Sequence, residues 1–194
     1  MEQGPEEGRG IASYEKILKF KKEDLEDKVV LDLGAGPKAR FARDLEESGV
    51  HATVISLSPE YADGEQHALF KGEQDKRRLE VAGIGERLPF QDESFDEVLA
   101  LYSVSIWSAE NYKKWLPEIC RVLKPAGTAR IGTFNIHTGG AHRIGEDTLG
   151  STQEEQREWI EDFIHGLGYE YEFVRGPGTR QDILIIHKTA VRHT

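Results

Sequence analysis

A glycine loop near residue 34 is the feature whose residue types most directly allow ligand chemistry. Asp32-Leu33-Gly34-Ala35-Gly36 follows the apolar run Val29-Val30-Leu31. Glycines after a buried strand let the backbone turn tightly and let a ligand approach main-chain N–H groups without a Cβ in the way. Because tight turns between strands and helices also use glycine for steric reasons alone, this loop by itself is only a weak indication of a ligand site.

A second group of polar residues follows a later strand-like segment. His137, His142 and Arg143 lie on either side of the pair Gly139-Gly140. Histidine acts as a general base near neutral pH, which makes His137 the candidate base. His142 and Arg143 are candidates for binding a polar or anionic ligand. A solvated surface loop whose histidines meet no ligand is the alternative, and the sequence leaves both open.

Alternating strands and helices are predicted to position these two groups. Strand-like runs occur at residues 28–33, 52–57, 79–82, 95–101 and 128–134, with helical spacing between several of them. Such alternation is typical of a mostly parallel sheet with helices on both faces. In these sheets ligands bind outside the carboxyl ends of the strands, where both polar groups fall. A last helix and a strand pair around Gly176-Pro177-Gly178 add antiparallel pairing at one edge.

Length and composition restrict the class of protein. The 194 residues favour one domain, predicted as a tail and short covering helix at 1–27 followed by a single domain at 28–194. The net charge of −10 and the absence of a long apolar run argue against nucleic acid and membrane as partners. With no secretory signal apparent, we expect a cytoplasmic protein; its oligomeric state is left open. Cys120 lies on a helical apolar stripe and is predicted to be a poorly reactive thiol, and the histidines are not spaced for a metal site.

Three motifs in order resemble the class I S-adenosylmethionine-dependent methyltransferases, in particular the small-molecule, methyltransferase type 11-like branch. They are the glycine loop, Glu86-Arg87-Leu88-Pro89-Phe90 with Ser94-Phe95-Asp96, and Arg121-Val122-Leu123-Lys124-Pro125. The resemblance spans Val29 to Phe134. It implies an α/β, doubly wound Rossmann-like sheet of seven mostly parallel strands with an antiparallel C-terminal strand. It also implies S-adenosylmethionine as cofactor and methyl transfer to a small polar or anionic acceptor.

The resemblance further implies a role for individual residues. Asp32 would lie near the ammonium group of the cofactor, directly or through water. The cofactor-binding set is Asp32, Gly34, Ala35, Gly36, Ser56, Leu57, Ile84, Gly85, Glu86 and Leu101. On the acceptor side, position after the fourth and fifth strands makes Tyr102 and His137 the candidate catalytic residues and Ser103, Trp107, His142 and Arg143 the candidate substrate-binding residues.

Three positions depart from the family pattern, all on the cofactor side. Lys38 replaces a third loop glycine, Ser56 replaces the acid that binds the ribose, and Ile84 replaces the acid that binds the adenine. A hydrogen bond to a charged group contributes about 1.5–3 kcal/mol, so losing two weakens binding by roughly two to four powers of ten. We therefore expect S-adenosylmethionine to bind more weakly here than in a typical relative.

These departures keep two alternatives open. One is a degenerate methyltransferase-fold domain with weak or no cofactor binding that acts as a binding or regulatory protein. The other is an NADP-dependent oxidoreductase, because Gly34, Gly36 and Ala39 match the dinucleotide fingerprint and Ser56 would tolerate a 2′-phosphate. The later motifs argue against the oxidoreductase.

Overall fold

The computed structural model describes residues 8–62, 78–83, 87–101, 103, 109–132, 153–175 and 182–189. Its strands are β1 Val29–Leu33, β2 Thr53–Ser58, β3 Arg78–Ala82, β4 Phe95–Leu101, β5 Leu123–Gly132, β6 Glu170–Arg175 and β7 Asp182–His187. Its helices are α1 Ile11–Leu18, α2 Arg40–Glu47, α3 Ala109–Val122 and α4 Gln153–Leu167. Short 3-10 turns cover Lys22–Leu25 and Pro59–Ala62. No helix in these ranges has the length and apolar content of a membrane span.

The strands form one seven-stranded sheet in the order β3-β2-β1-β4-β5-β7-β6. Pairing is parallel from β3 to β5, and β7 is antiparallel to both β5 and β6. The predicted fold is therefore confirmed. The chain order reverses between β1 and β4, so the crevice for a ligand is expected at the carboxyl ends of these two strands.

Among the described residues, two helices cover each face of the sheet. Alternate residues of a strand point to opposite faces, so Val30 joins one core and Leu31 the other. The first core contains buried side chains from α1 and α2, namely Tyr14, Leu18, Phe41, Ala42 and Leu45. The second contains side chains from α3 and α4, namely Leu116, Ile119, Cys120, Ile160 and Ile164.

Arg121 explains why two of the motifs occur together. Its guanidinium donates to the carbonyls of Leu88 (3.1 Å) and Phe90 (2.8 Å), to Asp92 Oδ1 (2.7 Å) and to Glu118 (2.8 Å). Glu118 in turn accepts from the Leu88 N–H (2.9 Å). The second motif is thus fixed to the end of α3 by the third. In these contacts both motifs stabilise the fold.

The start of β5 differs from the prediction. The strand begins at Leu123 rather than at Thr128. The residues that follow α3 belong to β5, and the register between β4 and β5 shifts there. Ala126, in this stretch, has a positive φ of 64°. The Ala126 N–H donates to the Lys188 carbonyl (2.7 Å), and the Lys188 N–H donates to Gly127 (3.0 Å). Contacts with a segment distant in sequence produce this pairing, so no local pattern predicts it.

Candidate active site

The glycine turn is held by the end of β2. Gly34 and Gly36 have φ values of 74° and 71°, which residues with a Cβ rarely adopt. The N–H groups of Gly34 (2.8 Å) and Ala35 (3.3 Å) both donate to the Leu57 carbonyl. These two donors are therefore used within the protein.

Two further segments lie against the turn. A Cβ on Gly34 would overlap the Cβ of Ser103, so Ser103, which follows β4, packs directly on the turn. On its other side, a Cβ on Gly36 would lie 3.7 Å from the Gly8 Cα. The Tyr61 hydroxyl donates to the Gly36 carbonyl (2.7 Å). The turn is thus fixed by contacts from β2, from the segment after β4 and from the segment before α1.

Asp32 lies directly below the turn and is completely buried. Its Oδ1 accepts a hydrogen bond of 2.7 Å from the Tyr14 hydroxyl, whereas its Oδ2 has no hydrogen-bond partner among the residues described. In that part of the chain no Lys, Arg or His forms an ion pair with it. Burial raises the pKa of the Asp32 carboxyl to about 7, and the hydrogen bond from Tyr14 opposes this shift.

Two serine hydroxyls lie near the same edge of the sheet. Ser56 is the register partner of Asp32 across β1 and β2 and is also completely buried. The Oγ atoms of Ser56 and Ser103 are buried without a hydrogen-bond partner in the described ranges. Asp32 Oδ2, Ser56 Oγ and Ser103 Oγ are called the three unpaired oxygens below. Buried polar atoms are normally paired, so their concentration at one edge indicates a place for a polar ligand.

Comparison with known proteins decides which family this site belongs to. The family model that describes methyltransferase domains matches residues 31–131, which include the glycine turn, Ser56 and Ser103. The chain belongs to this family. The match begins at β1 and ends in β5, so it covers the strands whose carboxyl ends carry the three unpaired oxygens.

Individual relatives are similar over part of their length. A sterol 4-C-methyltransferase from Caenorhabditis elegans is 33% identical over 50% of this chain and 28% of the relative. A demethylmenaquinone methyltransferase from Corynebacterium glutamicum is 32% identical over 55% of this chain and 41% of the relative. The chain thus spans less than half the length of either.

A solved structure extends the comparison to most of the fold. The crystal structure of a putative S-adenosyl-L-methionine-dependent methyltransferase from Methanococcus maripaludis has a TM-score of 0.63 at 20% identity, covering 88% of this chain and 82% of that one. At this identity the likeness concerns the fold. Together the comparisons confirm the predicted fold and the predicted family of S-adenosylmethionine-dependent methyltransferases.

The residues present suit the cofactor of this family. An ammonium group requires hydrogen-bond acceptors and gains most from a carboxylate without a neighbouring cation, and Asp32 has none among the described residues. A ribose hydroxyl can bond with the Ser56 hydroxyl, which accepts as well as donates. The absence of a Cβ at Gly34 lets Ser103 pack directly against the turn and so brings it to the same place as Asp32.

The structure brings part of the predicted site together. The carboxyl ends of β1, β2 and β4 carry the predicted residues Asp32, Gly34, Ala35, Gly36, Ser56, Leu57 and Ser103. The Leu101 side chain is buried in the core beside α1, so only its backbone is at the edge. The other predicted site residues lie outside the described residues; they are Tyr102, Ile84, Gly85, Glu86, Trp107, His137, His142 and Arg143. Their roles stay predictions.

Two residues of the site were missed from the sequence, Tyr14 and Tyr61. Both place a hydroxyl on a polar atom of the site, Tyr14 on Asp32 and Tyr61 on the Gly36 carbonyl. A tyrosine within an apolar helical stripe is a usable signal, because a buried tyrosine hydroxyl usually has a partner. The sequence does not show which partner that is.

Proposed function

We propose that this chain binds S-adenosylmethionine at the carboxyl ends of β1, β2 and β4 and transfers its methyl group to a small acceptor. The observation that carries the proposal is the state of Asp32. It is a buried carboxylate without a cation in the described part of the chain, below the turn at Gly34 and Gly36, in a methyltransferase domain. An unpaired buried charge is costly, and a cationic ligand removes that cost.

Each residue of the site would contribute a simple task. When bound, the cofactor supplies an electrophilic methyl group on a sulfonium. Asp32 would accept a hydrogen bond from its ammonium group, directly or through water, and Ser56 would bond one ribose hydroxyl. Ser103 would line the opening towards the acceptor. Holding the two reactants in line provides most of the rate acceleration that methyl transfer requires.

The acceptor is proposed to be small and polar or anionic. Leu101 and Gly132 are register partners, so the segments that follow β4 and β5 start side by side near the Gly34 turn. His137, His142 and Arg143 come from the second of these segments, and Tyr102 and Trp107 from the first. His137 would take a proton from an acceptor that carries one. Because the named relatives act on a sterol and on demethylmenaquinone, both compounds belong in the acceptor screen.

Ser56 supports a second candidate function, a binding or regulatory domain that has lost its cofactor. Its hydroxyl cannot replace the charge of a carboxylate that bonds both ribose hydroxyls. The two functions differ in a direct binding measurement.

Isothermal titration calorimetry with S-adenosylmethionine, S-adenosylhomocysteine and NADPH, each titrated separately, tests the proposal. Measurable binding of the first two is expected, and Asp32→Asn should weaken it by about 10- to 100-fold, since the hydrogen bond from the ammonium group loses its negatively charged acceptor. Asp162→Asn makes the same change at an exposed position of α4 and should leave binding unchanged. Absence of binding at millimolar concentration would favour the binding-domain function, and binding of NADPH alone would favour an oxidoreductase.

A further inference from the structure

Among the described residues, Tyr14 is the one whose side chain donates a hydrogen bond to the buried Asp32 carboxylate. It is 2% exposed, and its hydroxyl donates to Asp32 Oδ1 over 2.7 Å. Its ring stacks on Phe41 of α2 with a centroid separation of 4.3 Å and an angle of 19°. The stacking limits where the ring can lie. The hydroxyl is therefore held at one oxygen of the carboxylate.

Helix α1 is itself anchored at both ends. The Ile11 N–H donates to Asp44 Oδ2 (3.1 Å) at its start. At its end, Arg130 donates to the carbonyls of Leu18 (3.4 Å) and Lys19 (3.3 Å), and Leu18 is fully buried. Tyr14 lies between these anchors, so its position does not depend on the hydrogen bond to Asp32 alone.

We propose that Tyr14 is a positioning residue for recognition of the cofactor's amino-acid part. It occupies Oδ1 of Asp32 and orients the carboxylate so that Oδ2 remains the acceptor for the ammonium group, directly or through water. A hydroxyl that donates to a carboxylate also favours the ionised form, which is the form an ammonium group binds. This inference rests on the proposed function, and it adds a residue that acts through Asp32.

The groups around this pair determine how its protonation responds to pH. Two groups besides Asp32 affect the pKa of Tyr14. Tyr61, in the turn after β2, raises it, and Arg9, in the segment before α1, lowers it. From β2 comes the uncharged Ser56, and α2 presents the ring of Phe41. On the same face of the sheet, Lys28 and Arg130 are both paired with Glu97. We therefore expect Asp32 to be the group that links binding to pH near neutrality.

Two ligands that differ only in the amino-acid part test the proposal. S-adenosylhomocysteine carries the ammonium group, and 5′-methylthioadenosine lacks it. Tyr14→Phe removes one hydroxyl and should weaken binding of S-adenosylhomocysteine by about ten-fold, while 5′-methylthioadenosine changes less than about two-fold. Tyr171→Phe on β6 is the matched control and should change neither affinity. Thermal melts of each variant confirm that it is folded.

The pH dependence provides a readout that a purely structural role would not move. In the wild type, affinity for S-adenosylhomocysteine should rise as the pH passes through the Asp32 pKa of about 7, with release of a proton on binding at lower pH. Titrations in two buffers of different ionisation enthalpy count that proton. Tyr14→Phe should move the midpoint to higher pH. In an Asp32→Asn background, Tyr14→Phe should have little further effect on either ligand.

Three results would overturn the inference. Equal loss of both ligands in Tyr14→Phe would show a merely structural role. So would an unchanged pH midpoint, or a full effect of Tyr14→Phe in the Asp32→Asn background. If Tyr14→Phe does not fold, Phe41→Leu, which loosens the ring without removing the hydroxyl, must selectively weaken S-adenosylhomocysteine. A wild type that binds neither ligand would instead contradict the proposed function, and the inference with it.

Discussion

Two buried carboxylates on the same face of the sheet, Asp32 and Glu97, have opposite surroundings. Glu97 lies near the amino end of β4, where Lys28 Nζ donates to it at 3.0 Å and Arg130 Nε lies 3.7 Å away. Asp32 lies at the carboxyl end of β1 and has only the neutral Tyr14 hydroxyl among the described residues. Burial raises the pKa of both carboxyls, but only at Glu97 do protein cations oppose it.

The difference separates an acid that serves the fold from one that we propose serves a ligand. Lys28 and Arg130 offset the charge of Glu97, although its Oε2 also has no hydrogen-bond partner among the described residues. Asp32 keeps an unpaired oxygen and a pKa near neutrality. A buried carboxylate without a cation reduces stability, and such a cost is typical of a position retained for binding.

The largest loss of stability is expected from removing the paired acid. Glu97→Ala leaves Lys28 and Arg130 without their shared carboxylate; breaking a fully buried ion pair costs about 3–5 kcal/mol, but the Lys28 side chain is 35% exposed, so we expect a loss of about 2–3 kcal/mol. Urea unfolding at pH 7 measures the loss of unfolding free energy. A loss below about 1 kcal/mol would show that the cluster adds little to stability and that the two acids differ less than the structure indicates.

Asp32→Asn should raise the free energy of unfolding rather than lower it. Because the folded-state pKa of Asp32 is raised to about 7, its contribution to stability is fully present below its ordinary pKa and is lost as the pH rises through 7. The variant should therefore match the wild type near pH 4 and exceed it by about 2–4 kcal/mol at pH 8, since one pKa unit corresponds to about 1.4 kcal/mol. Urea unfolding across this range checks it. A difference that does not change with pH would contradict the pKa shift.

Ser56→Asp places a second carboxylate beside Asp32. It restores the charged group that the family pattern has at this position, so S-adenosylhomocysteine should bind about ten-fold more tightly. The ligand-free variant should be less stable at pH 8, because the two register partners would carry like charges. Calorimetry and thermal melts measure both effects. Unchanged affinity would show that Ser56 does not face the ribose.

The smallest effect is expected at Cys120, a buried titratable group that needs no partner because it is neutral. Burial raises the pKa of its thiol to about 12, so little thiolate forms at pH 8. Labelling by a maleimide should be very slow in the folded protein and complete in urea. Ligands at the carboxyl edge should not alter that rate. Rapid labelling of the folded protein would contradict the prediction of an inert thiol.

The sequence alone determined the order of the strands and helices and the position of the glycine turn. Phe95–Leu101 was predicted with the bounds that the structure shows, and the edges of the other strands before β5 differ by one residue. These features follow from hydrophobic periodicity and from glycine chemistry, both of which are local in the chain. The family followed from motif residues such as Arg121, which hold neighbouring segments together through contacts visible only in the fold.

The tertiary structure alone decided the pairing of β7 between β5 and β6, the irregular start of β5 and the role of Tyr14. The partners in these contacts are distant in sequence; Tyr14 and Asp32 are 18 positions apart and belong to different elements. The pKa of Asp32 likewise depends on complete burial and on one hydroxyl from another helix. A sequence pattern specifies which face of an element is apolar, but the polar atom that meets a buried side chain is determined only when those faces pack together.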